Sequence, residues 1–308
     1  MDAAIRITGL IKNYGDVTAV AGLDLEIRRG ECFGLLGPNG AGKTTTVEIM
    51  EGLLPPTAGT VEVLGMHWDR HAEDLRARIG VTLQETKLFE KLTVEETLRL
   101  FASFYDAKRA LPIPTLLAEM QLTEKRSAWV GKLSGGQRQR LAVALGLIGD
   151  PEVLFLDEPT TGLDPQSRRA LWDTIATARQ RGKTVVLTTH YMDEAERLCD
   201  RVAIVDHGKL IAVGTPADLI DGIGGHRLIE LATEPGLTAD AVADVQGVRA
   251  VRVQGDGLAL SIDEPHVALP ALVARLGARG VRATRLVSRT ATLDDVFLSL
   301  TGRTLRED

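Results

Sequence analysis

Residues 37–44, "GPNGAGKT", place Gly37, Gly42, Lys43 and Thr44 at the spacing a phosphate cradle needs. Glycines at 37, 40 and 42 let backbone N–H groups close around phosphate oxygens, with Pro38, Asn39 and Ala41 completing the turn. Lys43 puts a positive charge on the outer phosphates, the Thr44 hydroxyl can ligate Mg²⁺, and Thr45 continues the cradle into the next element. The apolar run "ECFGLL" precedes this loop and a helical pattern follows it, so a plain glycine-rich turn is the poorer reading.

"EVLFLDEP" supplies the acids. Val153 to Leu156 read as a buried parallel strand that delivers Asp157 to its carboxyl end, where Asp157 can hold Mg²⁺. Glu158 follows directly, points elsewhere, and can orient and deprotonate an attacking water. Adjacent acids after a strand are ordinarily a solvated turn; beside the cradle they read as a hydrolytic pair. "VVLTTH" ends another strand at His190, and "IGVTLQ" ends one at Gln84, whose amide suits Mg²⁺ or water. Three phosphate-linked elements thus end at the same edge of one sheet.

A second anion seat opens "KLSGGQRQRLAVAL". Ser134, Gly135, Gly136 and Gln137 stand at the front of an apolar helix, where unpaired backbone N–H groups face outward. The pentapeptide "LSGGQ" arises by chance in roughly one chain in a few thousand, so it is the more specific of the two seats. It is remote in sequence from Lys43.

The elements that must position these residues alternate. "AIRITGLI", "LDLEIRRG" and "VEVLG" read as strands, followed by "IGVTLQ" and then helices from about residue 93 to 148, one opening on a Thr93/Glu96 capping box. Strands and helices then alternate again to about residue 221, the pattern of a largely parallel sheet carrying an inserted helical subdomain at about 88–148. "DLIDGIGGH" reads as a linker. Beyond it, residues 226–303 run strand, helix ("TADAVADV"), strand, strand, helix, strand, a ferredoxin-like α+β order, and close on a helix from Thr292 with Leu293, Val296, Phe297 and Leu300 on one face.

Composition narrows the function classes. The chain has 308 residues, 44% of them hydrophobic, and a formal charge of −6, so a nucleic acid is not the expected partner. The two cysteines form no disulfide framework and fit a reducing cytosol. No apolar run approaches the ~20 residues that span a bilayer, so any membrane work falls to another subunit. His67 and His71 in "MHWDRH" have no cysteine nearby and a loop-like setting, which makes a metal site the weaker reading.

Taken together, these motifs resemble the ATP-binding subunit of ATP-binding cassette transporters, from residue 4 to about 220 and in the family's order. The resemblance implies a P-loop cassette with ATP and Mg²⁺ as cofactors, Tyr14 of "KNY" stacking on adenine, and Asp164 of "GLDP" coupling two sites. It also implies a head-to-tail homodimer in which Ser134, Gly135 and Gly136 of one copy close over the γ-phosphate held at Lys43 of the other. Separate transmembrane permease subunits would place the pair on the inner face of the cell membrane. The closing string "ATLDDVFLSLTGR" resembles the extension of daunorubicin-type drug-efflux ATPases. A soluble relative acting on ribosomes or DNA is the other class. It fits less well, because the chain has one cassette and no heptad run.

Overall fold

The computed structural model describes residues 2–82, 88–106, 109–223, 227–234 and 236–302. They divide into two compact units, one ending at Val213 and the other beginning at Gly214.

The first unit holds two sheets. Strands Ala3–Tyr14, Val17–Arg28 and Ala58–Val63 form an antiparallel sheet with Ala3–Tyr14 in the middle. The larger sheet is six-stranded, in the spatial order Ile79–Thr82, Val153–Asp157, Thr184–Thr189, Cys32–Leu36, Arg201–Asp206, Lys209–Gly214. Its first five strands pair in parallel. Every residue of Cys32–Leu36, Val153–Asp157 and Thr184–Thr189 is buried, as expected of parallel strands covered on both faces. Ile5, Leu25, Ile27 and Val63 from the antiparallel sheet meet Phe33, Phe155 and Val186 from the parallel one in a single apolar cluster. Burying each of these side chains contributes about 1.5–3 kcal/mol.

Register decides what reaches the sheet edge. Asp157 lies opposite Thr188, and Leu36 lies opposite Thr189. The loop after Leu36, the carboxylate of Asp157 and His190 therefore leave the sheet at one level. Between Ile79–Thr82 and Val153–Asp157 sits the helical insertion, with helices Val94–Ala102, Ile113–Glu119 and Gly135–Leu147. The Thr93/Glu96 capping box is formed: Glu96 N donates to Thr93 Oγ1 and Thr93 N to Glu96 Oε2. The segment expected as a loop at "MHWDRH" is instead the start of helix Trp68–Arg76, because Trp68 packs over Gly52 and its Nε1 donates to Met50 O at 2.9 Å. The two cysteines, distant in sequence, are both buried, and the Cys32 thiol bears directly on that of Cys199.

In the second unit, four antiparallel strands lie in the order Val248–Gln254, Gly257–Ile262, Arg227–Glu234, Arg282–Thr290, which is the ferredoxin-like arrangement. Helix Pro265–Ala278 covers one face through Ala268, Leu272 and Leu276. The helix expected at "TADAVADV" is only a 3₁₀ turn, Ala239–Ala241, continued by i→i−3 bonds from Val242 and Val245. Ala241, Val242 and Val245 are all buried, and β-branched and aspartate residues favour such turns over an α-helix. The proposed linker is partly helical as well. Pro216 at the first turn and a Thr215 cap start helix Pro216–Gly222, which packs on the terminal helix Leu293–Thr301. Leu293, Val296 and Phe297 of that terminal helix are buried, whereas Leu300 is exposed.

Candidate functional site

The loop after Leu36 turns into helix Lys43–Met50 at Gly42, whose φ of 94° suits glycine alone. A Cβ there would also lie 2.3 Å from Ala19 O, so strand Val17–Arg28 presses directly on the loop. Ala19, Asn39, Gly40, Gly42, Lys43, Thr44, Thr45 and Glu158 line a cavity of about 260 Å³. A larger hollow of about 690 Å³ lies around the C-terminal end of the same helix, away from Lys43 and both acids. The chemistry therefore belongs to the smaller cavity.

Lys43 is buried, and its Nζ donates to Gly37 O at 2.7 Å and Pro38 O at 2.9 Å. Burial lowers its pKa, opposed by the charges of Glu158 and Asp157. The ammonium is thus held by its own loop and can be handed to an anion. Asp157 is also buried. Burial raises its pKa, while the hydroxyls of Thr188 and Thr44 and the charge of Lys43 pull it down. Thr188 donates to Asp157 Oδ1. Thr44 and Asp157 together offer hard oxygen donors of the kind Mg²⁺ accepts.

Glu158 carries a positive φ of 44°, a costly backbone state for a residue with a side chain. It is held there from both sides: its N–H donates to Thr188 Oγ1 at 2.9 Å, and Thr161 Oγ1 donates to its Oε2 at 3.1 Å. The strained turn aims Glu158 away from Asp157 and into the cavity. His190 Nδ1 stands 3.3 Å from Glu158 Oε1, without the alignment of a full hydrogen bond. The structure thus brings Lys43, Thr44, Asp157, Glu158 and His190 together at one end of one sheet. The sequence does not single out Thr188 and Thr189, since threonine in "TVVLTTH" reads simply as a strand former, nor Thr161 in "EPTTGLD".

Tyr14 is exposed at the end of its strand and pairs with Val17, which lies two residues before Ala19, a residue lining the cavity. Gln84 lies outside the described residues. Asp164 is the N-cap of helix Pro165–Gln180: it accepts from Gln166 N, Ser167 N and Ser167 Oγ.

Ser134 caps helix Gly135–Leu147 in a capping box with Gln137, Gln137 N donating to Ser134 Oγ and Ser134 N to Gln137 Oε1. Ser134 and Gly135 are exposed. The two glycines differ. A Cβ on Gly136 would lie 2.4 Å from Ser167 Oγ, so this chain itself demands glycine there. A Cβ on Gly135 would meet nothing within 4 Å, and its φ is not positive. Gly135 is the first residue of its helix, where glycine costs at most the ~1 kcal/mol against alanine of a helix interior, and nothing among the described residues requires glycine there.

The family model described as ABC transporter matches residues 20–161. Nod factor export ATP-binding protein I of Ralstonia nicotianae is 42% identical over 308 residues, covering 98% of this chain and 95% of its own. This chain is an ATP-binding subunit of the ABC transporter family. The protein of the same name from Sinorhizobium fredii is 43% identical and covers 99% of this chain and 88% of its own. A dimeric ATP-binding cassette solved in a post-hydrolysis state, bound to ADP and Pi, superposes with a TM-score of 0.61 at 26% identity, covering 68% of this chain and 98% of that one. The subunit is an ATPase whose hydrolysis is coupled to transport. Among the described residues, no helix is long and apolar enough to cross a membrane.

Proposed function

We propose that this ATPase subunit works as a head-to-tail homodimer on the inner face of the cell membrane, driving export of a drug or other hydrophobic compound through separate transmembrane permease subunits. Residues 1–221 form the nucleotide-binding domain and residues 226–303 an accessory domain. Export rests on the full-length similarity to proteins named for export. The cargo class rests on the closing "ATLDDVFLSLTGR" string; the named cargo of the relatives is the Nod factor.

ATP lies in the loop of residues 37–45, with adenine on Tyr14. Lys43 gives up its bonds to Gly37 O and Pro38 O and takes the outer phosphates. Thr44 and Asp157 would hold Mg²⁺, with Gln84 at the border of the helical insertion as a further ligand, and the ion would supply neutralisation of the phosphate charge. Glu158 deprotonates the water, and His190 holds Glu158 and the γ-phosphate in place. Ser134, Gly135 and Gly136 of the second copy close the site, and Asp164 links the two sites.

The observation that carries the paired site is the unobstructed glycine at 135. Gly135→Ala should leave the isolated chain as stable or up to about 1 kcal/mol more stable, since helix propensity improves and nothing clashes. Its ATP-driven dimerisation and hydrolysis should fall, because the new methyl stands where phosphate must approach. Thermal melts set beside turnover check this; full activity at unchanged stability would remove the second copy from the site.

Exposed Phe89 at the edge of the helical insertion is a seat for a cytoplasmic helix of the permease. The transport reading is tested by recovering the tagged chain from a detergent extract of its own cells. A polytopic membrane subunit should co-purify. Ribosomes or DNA in its place would make the chain a soluble ATPase of the other class.

A further inference from the structure

Glu194 is fully buried, in helix Met192–Leu198 just beyond His190. A carboxyl in a core is expensive, and a Leu or Met of similar size would pack at lower cost. Three separate segments converge on it. Trp172 Nε1, from the helix headed by Asp164, donates to Glu194 Oε1 at 3.0 Å. The Thr189 hydroxyl, one residue before His190, acts on the same carboxyl and draws its pKa down; its oxygen meanwhile accepts from Tyr191 N at 2.9 Å. The Thr160 hydroxyl, two residues after Glu158, acts on it too. Neither Thr160 Oγ1 nor Glu194 Oε2 completes a hydrogen bond of ordinary geometry, so this arm of the junction is the loose one.

The same two helices meet again beside His190. The Tyr191 ring lies 4.2 Å from the His190 ring, and the Arg168 guanidinium sits 4.4 Å from the Tyr191 centroid. Arg168 belongs to the helix that also carries Trp172.

We propose that Glu194 is a positioning residue for ATP hydrolysis, a buried hub that fixes the Glu158 turn and His190 relative to each other and ties both to the helix headed by Asp164. Glu158 has reason to need such a hub, because its left-handed backbone persists only where the surroundings over-determine it. Burial pushes the Glu194 carboxyl up, while the Thr189 hydroxyl, the Trp172 N–H and the Thr160 hydroxyl pull it down. This inference rests on the proposed roles of Glu158 as the base and His190 as the residue that holds it in place.

The test uses the full chain, scoring ATP turnover per binding-competent site, KM for ATP, and affinity for a fluorescent ATP analogue. In Glu194→Ala, turnover per site should fall on the order of tenfold to a hundredfold, the cost of slight misplacement of a reacting group, with KM and affinity within about twofold of the parent. Glu194→Gln keeps the side chain's shape and an acceptor for Trp172, and should stay within about threefold of the parent rate. A Glu194→Ala chain turning over at the parent rate per competent site overturns the proposal. So does a Glu194→Gln chain as slow as Glu194→Ala, which would mean that charge, not hydrogen bonding, matters.

Should Glu194→Ala not fold, Thr160→Val and Thr189→Val carry the same question, each removing one hydroxyl at nearly constant volume. Both are expected to slow turnover without weakening ATP binding; two unaffected variants overturn the hub. A stalled Glu158→Gln beside an unaffected Glu194→Ala would sink this inference alone, whereas a Glu158→Gln chain at full speed would remove the reading beneath it.

Discussion

Glu158→Gln should bind ATP as tightly as the parent chain and hydrolyse it on the order of a hundredfold or more slowly, the usual cost of removing a general base. The substitution keeps the shape of the side chain and removes its basicity. The Thr161 hydroxyl can still donate to the amide oxygen of the replacement side chain, as it now does to Glu158 Oε2 at 3.1 Å, and the backbone bond to Thr188 is untouched. In the proposed function binding resides elsewhere, in the loop of residues 37–45, whose Lys43 is buried and lines the cavity. With chemistry stalled and binding intact, ATP should hold the closed pair together. Size-exclusion chromatography should then show an ATP-dependent species of twice the chain's mass that the parent forms only transiently. Parent-like turnover in this variant would take Glu158 out of the base role.

Much of this site was legible because the signals are local. "GPNGAGKT" between an apolar run and a helical pattern needs no distant residue to be understood, and Val153–Leu156 are as buried as their unbroken apolarity implied. The box formed by Ser134 and Gln137 is likewise written into four consecutive residues. What could not be read depends on register. Thr188 becomes a partner of Asp157 only because the two strands align at that level, and the Trp172–Glu194 bond joins helices that the sequence merely lists in order. Asp164 shows both sides of this. Its capping of Pro165–Gln180, bonds from Ser167 included, follows from an Asp-Pro start, yet the approach of Ser167 to Gly136 emerges only in three dimensions.

The misreadings have the same origin. "TADAVADV" has helical spacing, but its buried valines are satisfied by a chain of tight turns under the sheet, a tertiary demand that propensity does not report. "DLIDG" looked like a linker because Gly and Asp punctuate it. The Thr215 cap and Pro216, lying just upstream, outweigh that signal locally.

Chains carrying Lys43→Ala and chains carrying Ser134→Ala should each be nearly inactive alone and regain hydrolysis when mixed. In a head-to-tail pair, the two defects of a mixed dimer fall in one site, leaving the other with an intact Lys43 and an intact Ser134. At equal amounts roughly half the dimers are mixed, each with one sound site of two, so roughly a quarter of the parent rate is expected if sound sites act independently. The geometry behind this is an asymmetry of need. Lys43 already has partners within its own loop, so an isolated chain can offer a complete lower cradle. The exposed helix front at Ser134 and Gly135, by contrast, has a glycine that its own chain gives no reason to keep. Rescue that appears on mixing, and disappears when Glu158→Gln is added to the Ser134→Ala chain, would assign each catalytic acid to the same copy as the lysine it serves. That follows because the sound site of the mixed dimer draws Lys43 and Glu158 from the Ser134→Ala chain and Ser134 from the other.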